Sequence, residues 1–147
     1  MTATAQEITI TRVYDAPREL VWKAWTEPAR LAQWWGPRGW RTDPADVTMD
    51  VQPGGAFRVT SVNDADGAEM TTESVFREVV EPERLVVEET AEDSWHEGAV
   101  SVLTLQDLGD GRTEMVFRST IHTSAEMGGN AERGLASAFD RLAEVLA

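Results

Sequence analysis

The chain has no cysteine, which removes disulfide frameworks, thiolate zinc sites and cysteine nucleophiles together. Lysine is nearly missing too: Lys23 stands alone beside twelve arginines, on a helix face that should meet solvent, so a catalytic lysine is not expected. Only two histidines occur, His96 and His122, and neither has a metal-ligand spacing to the other. Positive charge is scarce. Thirteen basic against 26 acidic residues leave a net charge of −13, which disfavours nucleic-acid phosphates and anionic membrane surfaces as partners. No run approaches the roughly 18 apolar residues of a membrane span, and the opening MTATAQEITITR has neither the basic start nor the apolar stretch of a secretory signal. A cytoplasmic location is the expectation.

Several chemical motifs are also absent. No serine sits in a nucleophile elbow. The glycine pairs Gly54–Gly55 and Gly128–Gly129 lack the spacing of a phosphate loop or dinucleotide fingerprint, although the second, at the entrance to a long helix, could lend flexibility that admits a ligand. Asp64, Asp66 and Gly67 start like a calcium loop but lack its later oxygens and closing glutamate, so they read as a turn. No catalytic residue, metal or cofactor is assigned. An enzyme is less expected than a binding protein, and a cyclase- or stress-response-type activity needing one or two polar groups in a shaped cavity stays as an alternative.

What is present is tryptophan, concentrated in one stretch. Trp22, Trp25, Trp34, Trp35 and Trp40 fall within 15–41, leaving only Trp95 elsewhere. Such local use of the largest side chains fits either core packing or the wall of a cavity. At 147 residues the chain fits one domain, 1–147, with enough length for a single core.

Periodicity divides the chain. Alternation over 6–14 predicts a first strand; Asp15 is expected to cap a helix whose first turn holds Pro17 and which stops near Thr26. Pro28 opens a second short helix ending before Gly36. β character begins at Asp46 and continues as strands over 56–62, 69–80, 85–90, 99–108 and 112–121, with Asn/Asp/Gly turns at 63–67 and 109–111 and a connection through Glu81, Pro82, Glu83 and Arg84. The final segment, 124–147, returns to helical spacing, with Ala131, Leu135, Ala138, Leu142 and Val145 as its apolar stripe and Thr123 or Ser124 as its N-cap.

Three blocks carry a family resemblance: DAPRELVWKAWTEPARLAQWWGP at 15–37, QPGGAFRV at 52–59 and VVEPERLVVEE at 79–89. Together they resemble the activator of heat-shock-protein-90 ATPase homologue family, a branch of the START-like (SRPBCC) superfamily with the helix-grip fold of the birch pollen allergen. The resemblance implies an α+β fold: a curved antiparallel sheet of six to seven strands around a long C-terminal helix, with two short helices after strand 1. The family pattern often has a Gly-Trp pair early in that helix, where this chain has Gly134 and Leu135. The superfamily spans carriers, cyclases and co-chaperones, so fold alone does not fix function. Co-chaperones of the family carry a separate N-terminal domain for the chaperone, which 147 residues are not expected to contain.

The leading expectation is therefore a small apolar or aromatic ligand held between sheet and C-terminal helix, in a monomer or homodimer. A protein-interaction module that stimulates a chaperone ATPase, or binds another protein partner, is the alternative. If the concave face carries Phe57, Val59, Phe76, Val100, Val102, Met115 and Phe117, then Trp35, Trp40, Trp95, Met127, Ala131 and Leu135 supply lid and floor. Thr104 and Ser119 would be its polar anchors, with His96 a polar contact at the mouth.

Overall fold

The period-two stretch that begins the chain does become an edge strand, and the partner it takes sets the whole topology. The computed structural model describes residues 4–89 and 96–146. Strand β1 (Thr4–Tyr14) leads to helices α1 (Arg18–Thr26) and α2 (Pro28–Leu31). Six strands follow: β2 (Trp40–Met49), β3 (Ala56–Asn63), β4 (Glu69–Val80), β5 (Arg84–Glu89), β6 (His96–Asp107) and β7 (Thr113–Thr123). The long helix α3 (Ala125–Leu146) ends the described chain.

All seven strands join one antiparallel sheet in the order β1-β7-β6-β5-β4-β3-β2. The chain thus leaves one edge at Tyr14 and re-enters at the opposite edge at Trp40. Helices α1 and α2 have to cross the sheet between those points, and they close one end of its concave face. This is the helix-grip architecture.

Local chemistry explains most boundaries. Helix α1 begins after Pro17, whose extended backbone forms the cap with no side-chain hydrogen bond, so Asp15 does not fill the expected capping role. Pro28 starts α2 at its first position, where a missing N–H costs nothing. Ser124 caps α3, its Oγ accepting from the Met127 amide at 3.2 Å. Strand β2 starts at Trp40 rather than near Asp46; the pairing slips between Thr42 and Val47, which accommodates Pro44 on an edge where its lost donor is harmless.

The core is aromatic. Trp25 meets Trp34 edge-on at 4.7 Å between ring centroids and stacks on Phe117 at 6.0 Å, and Phe139 lies 5.3 Å from Phe117. Trp34 is fully buried, its indole N–H donating to the Ala24 carbonyl at 3.0 Å. Phe139 and Leu142 are also fully buried, whereas Val145 is 36% exposed. The buried stripe of α3 therefore runs through Leu135, Phe139, Leu142 and Leu146, and the expected stripe, which omitted Phe139 and included Val145, drifts off the buried face at its end.

Candidate functional site

Which side chains line the concave face follows from register. Cross-strand partners in an antiparallel sheet point to the same side, so each pair involving a buried residue fixes a face. On β7, Met115, Phe117, Ser119 and Ile121 are buried and point inward. Their β6 partners are Leu105, Leu103, Ser101 and Ala99. Val100, Val102 and Thr104 pair instead with Thr120, Arg118 and Val116, and Val100 is 42% exposed. These three face the convex side, one residue out of register with the face expected for them, and Thr104 is not an inward polar anchor. The cause is that β6 carries two overlapping alternations, Val100/Val102 and Leu103/Leu105, and the leucines bury the larger surface.

The other expected residues divide as follows. Phe57, Val59, Phe76, Met115, Phe117 and Ser119 all point inward and are buried. Trp35 and Trp40 are partly buried, as are Met127, Ala131 and Leu135 on α3. Trp95 and the side chain of His96 lie outside the described residues. His122 is exposed.

Polarity separates the concave face into two parts. Toward α1 and the second half of α3 the inward side chains are mostly apolar, among them Leu85, Leu103, Leu105, Met115 and Phe117. Toward the first half of α3 a diagonal of small polar groups crosses the sheet. It comprises Thr42 on β2, Ser61 on β3, Thr72 and Ser74 on β4, Glu89 on β5, Ser101 on β6 and Ser119 on β7. Ser61, Ser74 and Ser119 are buried. The hydroxyls of Ser101 and Ser119 lie 3.0 Å apart, and those of Thr42 and Ser61 2.8 Å apart. Of these residues only Ser119 was foreseen. The signal for Ser101 was its position two residues before Leu103, on the same side of the strand.

Helix α3 covers this face chiefly along β1. Its N-terminal turns press on β1, where Gly128 approaches so closely that an added Cβ would meet Gln6 Cγ at 2.9 Å. Close packing, and not flexibility, is what requires glycine there. Ala131 and Leu135 pack on a small cluster of Ile8, Ala99 and Ile121, separate from the main core.

The far wall is the segment 33–40, held by one residue. Arg141 Nη1 contacts the carbonyls of Gly36 at 2.8 Å, Trp35 and Trp40 at 3.2 Å and Pro37 at 3.4 Å, while Nη2 reaches the Gln33 carbonyl at 3.4 Å. Two of these carbonyls have a further donor, Pro37 from the Trp40 amide at 3.1 Å and Trp35 from Thr42 Oγ1 at 3.5 Å, and Arg141 is what ties the segment as a whole to α3. Partial burial, reinforced by the nearby Arg38 charge, lowers the Arg141 pKa; Glu144 and Asp64 oppose the shift. Arg38 adds a second tie through its amide to Ser137 Oγ at 3.0 Å and its guanidinium to Glu144. On the opposite side Tyr14 donates to the Phe139 carbonyl at 3.1 Å, and burial pushes the pKa of its phenol far up.

Among the described residues, no group of three or more His, Asp or Glu could hold a metal ion. Among the same residues, no helix is long and apolar enough to cross a membrane.

A search of curated protein sequences returns no match. Solved structures do match. A Chromobacterium violaceum protein is 24% identical with a TM-score of 0.86, the alignment covering 96% of each chain. The AHSA1 protein of Silicibacter pomeroyi is 18% identical with a TM-score of 0.81, over 94% of this chain and 95% of that one. CalU16 of Micromonospora echinospora is 24% identical with a TM-score of 0.71, over 97% of this chain and 77% of its own. At these identities the likeness establishes the fold alone. Residues 15–147 match the family model described as activator of Hsp90 ATPase homolog 1-like protein, and the chain belongs to that family.

Proposed function

We propose that this chain binds a small molecule with an apolar or aromatic body on its concave face, between the sheet and the first half of α3. The observation that carries this reading is the exposure of inward apolar residues. Trp35, Val87, Ala131 and Leu135 stay partly exposed on the side that α3 and the 33–40 segment enclose, while the core beyond them is tightly packed. Apolar side chains left partly exposed on the inward side offer contact surface to such a ligand. The reading assigns no metal or organic cofactor and a cytoplasmic role, as a monomer or homodimer.

Titration with the neutral fluorophore N-phenyl-1-naphthylamine tests it. Saturable probe enhancement with matching tryptophan quenching is expected, and weaker quenching in Trp35→Phe. No saturable response at any soluble probe concentration overturns the reading.

A second reading, interaction with a chaperone, is favoured by the family and by Val80 and Val100, which are 41% and 42% exposed on the convex face. It expects the purified chain to accelerate a chaperone's ATP hydrolysis, and Val100→Glu to abolish that effect. An unchanged rate refutes it.

A further inference from the structure

Among the described residues two buried side-chain nitrogens have no hydrogen-bond partner, Arg18 Nε and Trp25 Nε1. Both belong to α1, but they differ in setting. The Arg18 side chain is 24% exposed and its guanidinium lies 3.8 Å from Glu83, so its charge is answered near the surface. Trp25 is 6% exposed, and nothing answers its N–H.

An indole N–H can only donate, and a buried one ordinarily finds an acceptor. Trp34 beside it does so, through the Ala24 carbonyl. Trp25 is instead surrounded by the rings of Trp34, Trp35, Phe117 and Phe139, at centroid distances of 4.7, 6.5, 6.0 and 6.0 Å. These rings carry no oxygen, and an aromatic face accepts such a proton only weakly. A buried donor left in this state carries most of its desolvation cost unrelieved.

The same four rings show where an acceptor can come from. Trp34, Phe117 and Phe139 are buried core, whereas Trp35 is partly exposed and walls the space assigned above to the ligand. Trp35 therefore connects the unanswered donor to that space. Because the Trp25 N–H gives up no water when a ligand arrives, a bond to an acceptor is gained on the protein side without loss. A wholly apolar ligand leaves the donor as it was.

We propose that Trp25 is a binding residue and that the ligand carries a hydrogen-bond acceptor, a carbonyl oxygen on its apolar or aromatic body, which takes the Trp25 N–H as the Trp35 side chain turns aside. This rests on the binding reading above. The experiment compares 2-acetylnaphthalene with 2-ethylnaphthalene, a probe of similar size that lacks the oxygen, by tryptophan quenching in the full chain and in Trp25→Phe. The affinity ratio of acetyl to ethyl probe is expected to be about tenfold higher in the full chain, one neutral hydrogen bond's worth. In the unaltered chain, NMR of the indole N–H groups is expected to show the Trp25 proton moving downfield with the acetyl probe and not with the ethyl one, while the Trp34 proton, already bonded, moves alike with both. If Trp25→Phe does not fold, the resonance decides alone. Binding of both probes with an unchanged ratio in a folded variant, or with a Trp25 proton that responds alike to both, overturns the proposal and leaves the binding reading standing. Failure of both probes to bind overturns both.

Discussion

Arg141→Leu is the most discriminating perturbation of the segment that walls the site. Leucine keeps most of the apolar stem and removes only the guanidinium. Five carbonyl oxygens lie within 3.4 Å of its two terminal nitrogens, but Nη1 has just two hydrogens for four of them, so only two or three bonds act at full strength. The Pro37 carbonyl keeps the Trp40 amide at 3.1 Å, and water can reach part of the segment. With a charged hydrogen bond worth about 1.5–3 kcal/mol and partial replacement by water, a net loss of about 2–3 kcal/mol is expected. For a chain of this size that corresponds to roughly 5–10 °C in Tm. Urea unfolding gives the free energy, and hydrogen exchange at the Trp40 amide reports whether the segment opens locally first. Arg141→Lys should recover less than half the loss, because a compact ammonium cannot span the spread of carbonyls. A loss below ~1 kcal/mol in Arg141→Leu, with Trp40 exchange unchanged, would refute the clasp.

Other consequences can be checked together. Phe139→Ala removes the ring shared by Trp25, Trp34 and Phe117 and should cost about 3–5 kcal/mol in denaturant unfolding. Leu103→Ala should cost about 2–5 kcal/mol while Val100→Thr stays within about 0.5 kcal/mol; the reverse ranking would mean that the β6 register is wrong. Tyr14 is the only tyrosine, so tyrosinate absorbance reports it alone. Its folded pKa lies above the unfolded value of about 10, so the stability it confers is complete below that pH and declines as pH rises past it. Tyr14→Phe should flatten the alkaline limb, and an ordinary tyrosine titration in the folded protein would contradict the buried hydrogen bond. Gly128→Ala should destabilise despite alanine's better helix propensity, because the new methyl meets Gln6 on β1; a more stable variant would show that the contact yields.

Strands with one apolar set were legible from sequence, and strands with two were not. The inward half of β7 follows a single alternation anchored by Met115 and Phe117, and there the expected face and the observed face coincide. β6 offered valines on one side and leucines on the other, and only pairing with β7 decides between them. The start of β2 was hidden because Asp43, Pro44 and Ala45 look like a loop; edge position and a slipped register let them continue a strand. The polar diagonal could not be found residue by residue. Its members are single serines and threonines from strands far apart in sequence, and only the sheet order places them side by side. Arg141 was invisible for the same reason, since its carbonyl partners lie about a hundred residues earlier.

The pairing of β1 with β7 has a kinetic consequence. Register partners such as Thr4 and Thr123, or Tyr14 and Thr113, are separated by nearly the whole chain. During synthesis Ile8, Ile10 and Tyr14 have no strand to join until β7 has emerged, so the first of the seven strands to be made is the last to find its place. A topology closed by such distant contacts should fold on the slow side, in the millisecond-to-second range of non-local β structures. The apolar side of β1 then waits exposed in the nascent chain, which makes its length of delay, more than its final stability, the point at which aggregation competes with folding.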